Sequence, residues 1–332
     1  MTMRLRRGAL QPKKRTGNKL AEKGSSSKAT GRVKKGYIIG SVVIALILII
    51  VGVSYYQIYM APFHRTIIRV DDTQIRMDYF LKRAELSSVE PIYMIDTLIS
   101  EQIIKLEAPT YGIEASEEDI QHSLIMMASG GSGDITESEL NEWYRQQLNE
   151  TGLSDAEYKE IVHNSLLAAY LHEYLAERVP TAAEQIHLNV IELNSYEDAQ
   201  EIKARWEAGE DFADLAREAS IDQTSAEAGG DIGWFPRGVM GSDLDELLFN
   251  LDIGDVSEVV LTETGALLFM VSEKAAVREL DEDSLQALKN SALEDWLREE
   301  RKFHEISVHG LNNGYDSETD AWVNYQLSKM SD

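Results

Sequence analysis

Cysteine is absent from the 332 residues. That excludes a disulfide framework, a thiolate metal site, a cysteine nucleophile and a lipoprotein anchor cysteine. Basic residues are scarce beyond the amino-terminal arm. Twelve of the 32 Lys and Arg precede Gly36, beside one acid, Glu22, although the whole chain carries 57 Asp and Glu and a net charge of −25. The body past the arm is strongly acidic and would repel a phosphate backbone, which argues against nucleic acid as a partner. Catalytic signatures are missing as well. The seven histidines are His64, His122, His163, His172, His187, His304 and His309, and they contain no HExxH and no close ligand pair. No metal and no cofactor is expected. No GxSxG elbow or P-loop occurs. Hydrophobic residues, at 43%, suffice for real cores in two or three domains.

One long apolar run is present. Tyr37 to Tyr56 holds twenty residues without a charge. As a helix it would be about 30 Å long, the thickness of a bilayer's hydrocarbon core. Tyr37 lies at one end and Tyr55, Tyr56 and Tyr59 at the other, as in an aromatic belt. The basic arm, residues 1–36, is expected to be disordered and to stay in the cytoplasm by the positive-inside rule. The run exceeds a usual signal-peptide core and no clean small-x-small cleavage site follows it, so residues 37–56 read as an uncleaved, single-pass signal anchor, with a cleaved signal peptide as the alternative. The body then lies outside the cytoplasmic membrane.

Ala61 to His64 reads as a linker and Thr66–Val70 as a strand with Asp71 and Asp72 as its turn. Helical patterning follows to Pro180, giving a helical domain over 65–180. Helices are expected over Ile75–Leu86 and Val89–Leu106, then from Ser116, from Thr136 with a capping box to Glu139, and from Ser154. At Thr181 the period changes. Ile186, Leu188 and Val190 alternate with His187, Asn189 and Ile191. Ser195 and Asp211 open two helices. The run Gly229-Gly230-Asp231-Ile232-Gly233-Trp234-Phe235 then marks a sharp turn, with Asp231 as a turn residue. A short helix at Leu244–Leu251, an extended stretch at Val256–Val260, a Thr264-Gly265 turn and a strand from Ala266 to Val271 complete a compact α+β domain with a small antiparallel sheet, residues 181–275.

Glu210-Asp211-Phe212 through Ser220, Asp222, the GGDIGWF run, Arg237-Gly238-Val239-Met240, Leu247 to Leu251, Gly254-Asp255-Val256-Ser257 and Thr264-Gly265 occur in an order that resembles the parvulin family of peptidyl-prolyl isomerases. The resemblance covers Ala182 to about Lys274. The wider layout is similar to membrane-attached extracytoplasmic foldases of the PrsA and SurA type. In these a helical, SurA-N-like chaperone domain precedes the isomerase, and a C-terminal helix packs back onto it. Leu285, Leu288, Ala292, Leu293 and Trp296, within residues 276–332, fit that helix.

The resemblance implies a site. The proline slot falls on Ile232, Met240 and Leu244, with Phe249 near. Asp222 matches the acid or thiol beside the amide, with Gln223 an alternative, and Thr262 and Thr264 offer hydroxyls. Asp222 and Thr264 are the catalytic candidates. The family's paired histidines fall on Val190 and Leu267, and neither is histidine. His187 cannot replace Val190, because at three residues' distance it faces the other side of the strand. The implied function is a membrane-anchored prolyl isomerase acting on unfolded or partly folded exported polypeptides with X–Pro bonds. A holdase on a degenerate parvulin fold, or a structural membrane-assembly factor, are the alternatives.

Overall fold

The computed structural model describes residues 30–87, 89–312 and 314–330, with side chains from Gly40 onward. Most of the basic arm, residues 1–29, lies outside the described residues. Contacts divide the chain into two units, residues 1–62 and 63–332.

In the first unit one helix, α1 (Thr30–Tyr55), contains the apolar run. It begins before Tyr37 and takes in Lys34 and Lys35, which the sequence reading placed in the arm. The helical path continues through a π turn at Tyr56–Met60, where the Ala61 amide reaches the Tyr56 carbonyl, and a 3-10 turn at Ala61–His64. The expected linker is therefore helical. Pro62 lacks the N–H an α-helix would need and sits in the tighter turn instead. The apolar span Gly40–His64 has the length and composition to cross a membrane, and its most apolar 18-residue window is unburied.

The second unit opens with a hairpin, β1 (Thr66–Val70) and β2 (Thr73–Arg76). The turn places Asp71 at φ 51°, a left-handed conformation that Asp tolerates better than most residues. Because Thr73–Arg76 pairs with β1, the first helix, α2 (Met77–Ser87), starts two residues later than its apolar spacing suggested. Helix α3 (Pro91–Glu107) begins with Pro91 in the first turn, where its missing donor costs nothing. Helices α4 (Glu117–Ala128), α5 (Glu137–Thr151) and α6 (Asp155–Ala176) each start from a capping box, Ser116 with Asp119, Thr136 with Glu139 and Ser154 with Glu157. The Arg83 guanidinium is buried and makes two hydrogen bonds to Glu101, at 2.6 and 2.8 Å.

Strand β3 (Ala182–Leu193) is the centre of the next sheet. Helices α7 (Tyr196–Glu207) and α8 (Phe212–Ala219) start from the side chains of Ser195 and Asp211, as expected. A five-residue helix, α9 (Gln223–Glu227), was not anticipated. It precedes β4 (Asp231–Pro236), α10 (Ser242–Phe249), β5 (Val260–Leu261) and β6 (Ala266–Glu279). The sheet is antiparallel in the order β4-β3-β6-β5. Most of the expected Val256–Val260 strand is a single bridge from Val256 to Met270. Strand β6 runs eight residues past Val271, pairing Lys274 with Ile186 and Glu279 with Ala182.

Both faces of this sheet are covered. Ile191, Leu193, Ala266 and Leu268 pack with Phe212 and Leu215 of α8 and Ile202 of α7. On the opposite face Ile186, Leu188, Val190, Phe269 and Val271 pack with Leu248 and Phe249 of α10. Helix α11 (Glu282–Glu300) packs on α6, with Leu293 and Trp296 against Ile104, Leu167 and Leu171. Trp296 also donates to the Tyr111 hydroxyl at 2.9 Å. Strand β7 (Ile306–Val308) joins β1 in a three-stranded sheet, and α12 (Ser317–Met330) contributes Val323 to the core beneath it.

Candidate active site

The glycine run is placed by β3. The Val190 amide donates to the Gly230 carbonyl at 2.7 Å, the Asn189 side-chain amide donates to the Gly229 carbonyl at 3.1 Å, and the Gly230 amide donates to the Ser225 carbonyl at 2.7 Å. Gly230 has φ 82°, and a Cβ there would lie 2.6 Å from the Val190 carbonyl oxygen. The residue must therefore be glycine for two reasons, its conformation and its proximity to β3. Asp231 accepts from the Gly233 amide at 2.9 Å, the turn role its glycine context suggested.

The four residues of the expected proline slot and the two at the family's histidine positions, all six candidates for substrate contact, come together. Val190, Phe249, Ile232, Met240, Leu244 and Leu267 all belong to the cluster on one face of the sheet. Val190 and Phe249 are buried there, whereas Ile232, Met240, Leu244 and Leu267 are half-buried and reach towards solvent. Leu267 is on the central strand β6 and pairs with Val260 on its outer side. The two positions where the family carries histidine thus line an apolar face. Neither Val nor Leu leaves a buried polar partner unsatisfied.

Phe249 is held by two cations. The Arg237 guanidinium lies 4.1 Å from its ring centroid, and Lys274 Nζ donates to its carbonyl at 2.8 Å. Arg237 also pairs with Glu184 at 3.0 Å. The loop bearing Met240 is fixed by a residue that sequence reasoning missed. Asp245 is buried and accepts from the Gly238 amide at 2.6 Å, while its second oxygen has no hydrogen-bond partner. Burial raises its carboxyl above the ordinary range, against the hydrogen bond from Gly238 and the charge of Arg237. An acid in the first turn of α10 was the available signal, but it reads equally well as a response to the helix dipole.

The two catalytic candidates lie on different loops. Asp222 is the N-cap of α9, and its oxygens accept from the Ser225 hydroxyl at 2.6 Å and the Thr224 amide at 3.2 Å. These hydrogen bonds, the Ser225 hydroxyl first, hold its carboxyl below the usual range. Gln223, its alternative, is exposed at the first position of that helix. Thr264 is exposed in the turn between β5 and β6, where its amide donates to the Thr262 hydroxyl at 3.3 Å. His187 is away from the apolar cluster, as its parity on β3 required. It bonds Ser272 Oγ at 2.8 Å, lies 3.4 Å from Asp231 Oδ1 and stacks edge-on against Trp234.

Two further features lie outside this face. A cavity of about 260 Å³ is lined by Leu86, Met127, Leu153, Tyr158, Ile161 and Val162 among the helices of residues 77–176. Among the described residues one set of His and acidic side chains, Glu107, Glu300 and His304, has ligand atoms within 4.8 Å of one another.

Residues 192–273 match the family model described as Rotamase, the PPIC-type PPIASE domain. The resemblance read from the glycine run and its neighbours is thereby borne out. A foldase protein PrsA of Oceanobacillus iheyensis is 28% identical over 55% of this chain and 60% of its own length. A second, of Geobacillus kaustophilus, is 34% identical over 32% of this chain and 44% of its own. The chaperone SurA of Methylococcus capsulatus is 33% identical over 45% of this chain and 30% of its own. The chain therefore spans between 30% and 60% of the length of these relatives. Among solved structures, the peptidylprolyl isomerase PrsA of Bacillus anthracis aligns with 72% of this chain and 97% of its own, at 22% identity and a TM-score of 0.35.

Proposed function

From a chain whose residues 192–273 form a PPIC-type parvulin domain, we propose a membrane-anchored peptidyl-prolyl cis-trans isomerase that assists the folding of exported polypeptides. The observation that carries the reading is the convergence of Val190, Ile232, Met240, Leu244, Phe249 and Leu267 on one face of the sheet. The reaction suits such a surface. The barrier to rotation about an X–Pro bond, about 18–20 kcal/mol, comes from amide resonance. Resonance is a charge separation, and it is weaker in an apolar environment than in water. A half-buried apolar groove that grips the proline ring and excludes water from the amide therefore favours the twisted transition state over the planar ground state. Nothing covalent is required.

Asp222 contributes by shaping the loop that delivers Gly229 and Gly230 to β3. Thr264 offers a hydroxyl at the open end of β6. Without the two histidines the site works by binding and desolvation, which predicts modest turnover.

The proposal for the rest of the chain follows its composition. Helix α1 anchors the protein in the cytoplasmic membrane with the basic arm inside and the acidic body outside. Residues 65–180 form a helical chaperone domain, 181–275 the isomerase, and 276–332 a C-terminal segment that returns to the helices through α11. Clients are unfolded or partly folded exported chains.

The test is prolyl isomerisation of a short X–Pro peptide by the full chain in detergent, with Met240→Ala as control. Acceleration that is lost in Met240→Ala supports the reading. A second reading, a holdase without turnover, is favoured by the apolar cavity between Leu86, Met127 and Tyr158. No acceleration, with unfolded protein still bound, would select it.

A further inference from the structure

His304 follows α11 by one 3-10 turn, Arg301–Phe303, and its side chain is only 6% exposed. Its Nδ1 is 2.7 Å from Asp71 Oδ2. Asp71 is itself fixed: its other oxygen accepts from the Glu305 amide at 2.8 Å, and its own amide donates to the Glu305 carbonyl at 2.9 Å. In the tautomer with Nδ1–H donating to Asp71, Nε2 carries the lone pair that a metal ion would use. That atom is buried without a hydrogen-bond partner. It faces Glu107 Oε1 at 3.8 Å and Glu300 Oε1 at 4.0 Å. Both distances exceed a hydrogen bond. Two carboxylates converging on this nitrogen call for positive charge at that point, from a proton on Nε2 or from a bound metal ion. Glu107 and Glu300 are also the last residues of α3 and α11, where the helix dipoles add further negative potential.

We propose that Glu107, Glu300 and His304 bind a divalent transition-metal ion of the zinc class, with Asp71 orienting the imidazole. A neutral imidazole and two carboxylates suit Zn²⁺, and a carboxylate behind the histidine is the usual outer partner of such a ligand. Tetrahedral ligands at about 2.1 Å from a metal are about 3.4 Å apart. Bringing each carboxylate to that distance from the imidazole needs a movement of roughly half an ångström, and the two carboxylates, within 4.8 Å of each other, close by up to about 1.4 Å. The two glutamates are half-buried, with side chains 26% and 22% exposed, and have the freedom to make it. Water supplies a fourth ligand from the exposed side. The ion joins three segments remote in sequence: the end of α3, the end of α11, and the turn after β1 through Asp71. Its role is structural, pinning the segment after α11 to the first hairpin. The set escapes a search for histidine pairs because it holds one histidine, and because Glu107 is remote from the other two ligands in sequence.

The full chain in detergent, stripped with EDTA, is titrated with Zn²⁺ by calorimetry and with Co²⁺ by visible absorption. The wild type takes up one Zn²⁺ per chain with a rise in Tm, and Co²⁺ gives the d–d bands of a low-symmetry site. The Glu107→Gln/Glu300→Gln variant preserves side-chain volume and loses affinity by about 10- to 100-fold, with the Tm rise abolished. His304→Gln does the same. Wild-type uptake by the double variant, whose unliganded Tm reports that it is folded, overturns the site. So does a wild type that takes up neither ion, or one that responds to Ca²⁺ alone and so does not use the imidazole.

Discussion

The Val190 amide and the Gly230 carbonyl meet at 2.7 Å, and the absent side chain of Gly230 is what lets the glycine turn approach β3. Gly230→Ala must either strain a left-handed backbone or push the turn off β3. The expected cost is about 2–3 kcal/mol of stability, with loss of isomerisation. Urea unfolding measures the first. A change below about 0.5 kcal/mol would mean that the contact is not maintained in solution.

Val190 and Leu267 stand where the family carries histidines. The double substitution Val190→His/Leu267→His is expected to change peptide binding or isomerisation rate by about tenfold, because burying polar rings on this face alters both its shape and its dryness. Peptide affinity and rate are read together, with circular dichroism to establish folding. A folded variant with both quantities unchanged would move the site elsewhere.

Asp245 supplies a pH test. Burial raises its carboxyl in the folded protein, so the folded state holds this proton at pH values where the unfolded chain has released it. Its contribution is favourable at acid pH and is lost as the pH rises through the folded value. Asp245→Asn keeps an acceptor for the Gly238 amide and removes the buried charge. The variant is expected to gain Tm over wild type at pH 7 and to lose that gain near pH 4. A gain that is larger in acid would reverse the sign and refute the assignment.

Asp222 can be dissected in the same way. Its depressed carboxyl is favourable at neutral pH, and that contribution is lost as the pH falls through the folded value. Asp222→Asn retains a capping oxygen, and its rate should stay within about threefold of wild type. Asp222→Ala removes the cap and should lower both rate and Tm. Loss of rate in the Asn variant at unchanged Tm would give the carboxylate a direct part in the reaction.

Elements governed by local chemistry were legible in the sequence. Thr136, Ser154, Ser195 and Asp211 cap the helices they were expected to open, and Ser116 caps the helix expected from its acidic first turn. Elements defined by long-range pairing were not. Strand β2 reads as part of a helix because Ile75 has helical spacing with the residues after it, and only its pairing with β1 decides otherwise. The extension of β6 is polar and exposed, so it carries no alternation to detect, and Gln185 marks it by donating to the carbonyls of Arg278 and Glu279. Helix α9 is too short for a period. The apolar face was found through the resemblance rather than through periodicity, since Val190, Met240 and Leu267 look like any core residues until the sheet aligns them. Asp245 was invisible because nothing local distinguishes a buried acid from an exposed one.

Strand β7 closes the first sheet from far along the chain: Asp71 and Glu305, bonded to each other, are 234 residues apart. The sheet β4-β3-β6-β5 is in this sense a guest, its strands lying in sequence between β1 and β7 of the first sheet. A chain that emerges from its amino end presents β1 long before β7 exists. The strands of the guest pair only among themselves. Cutting the chain between α11 and β7 would leave the guest intact and the first sheet with an open strand edge.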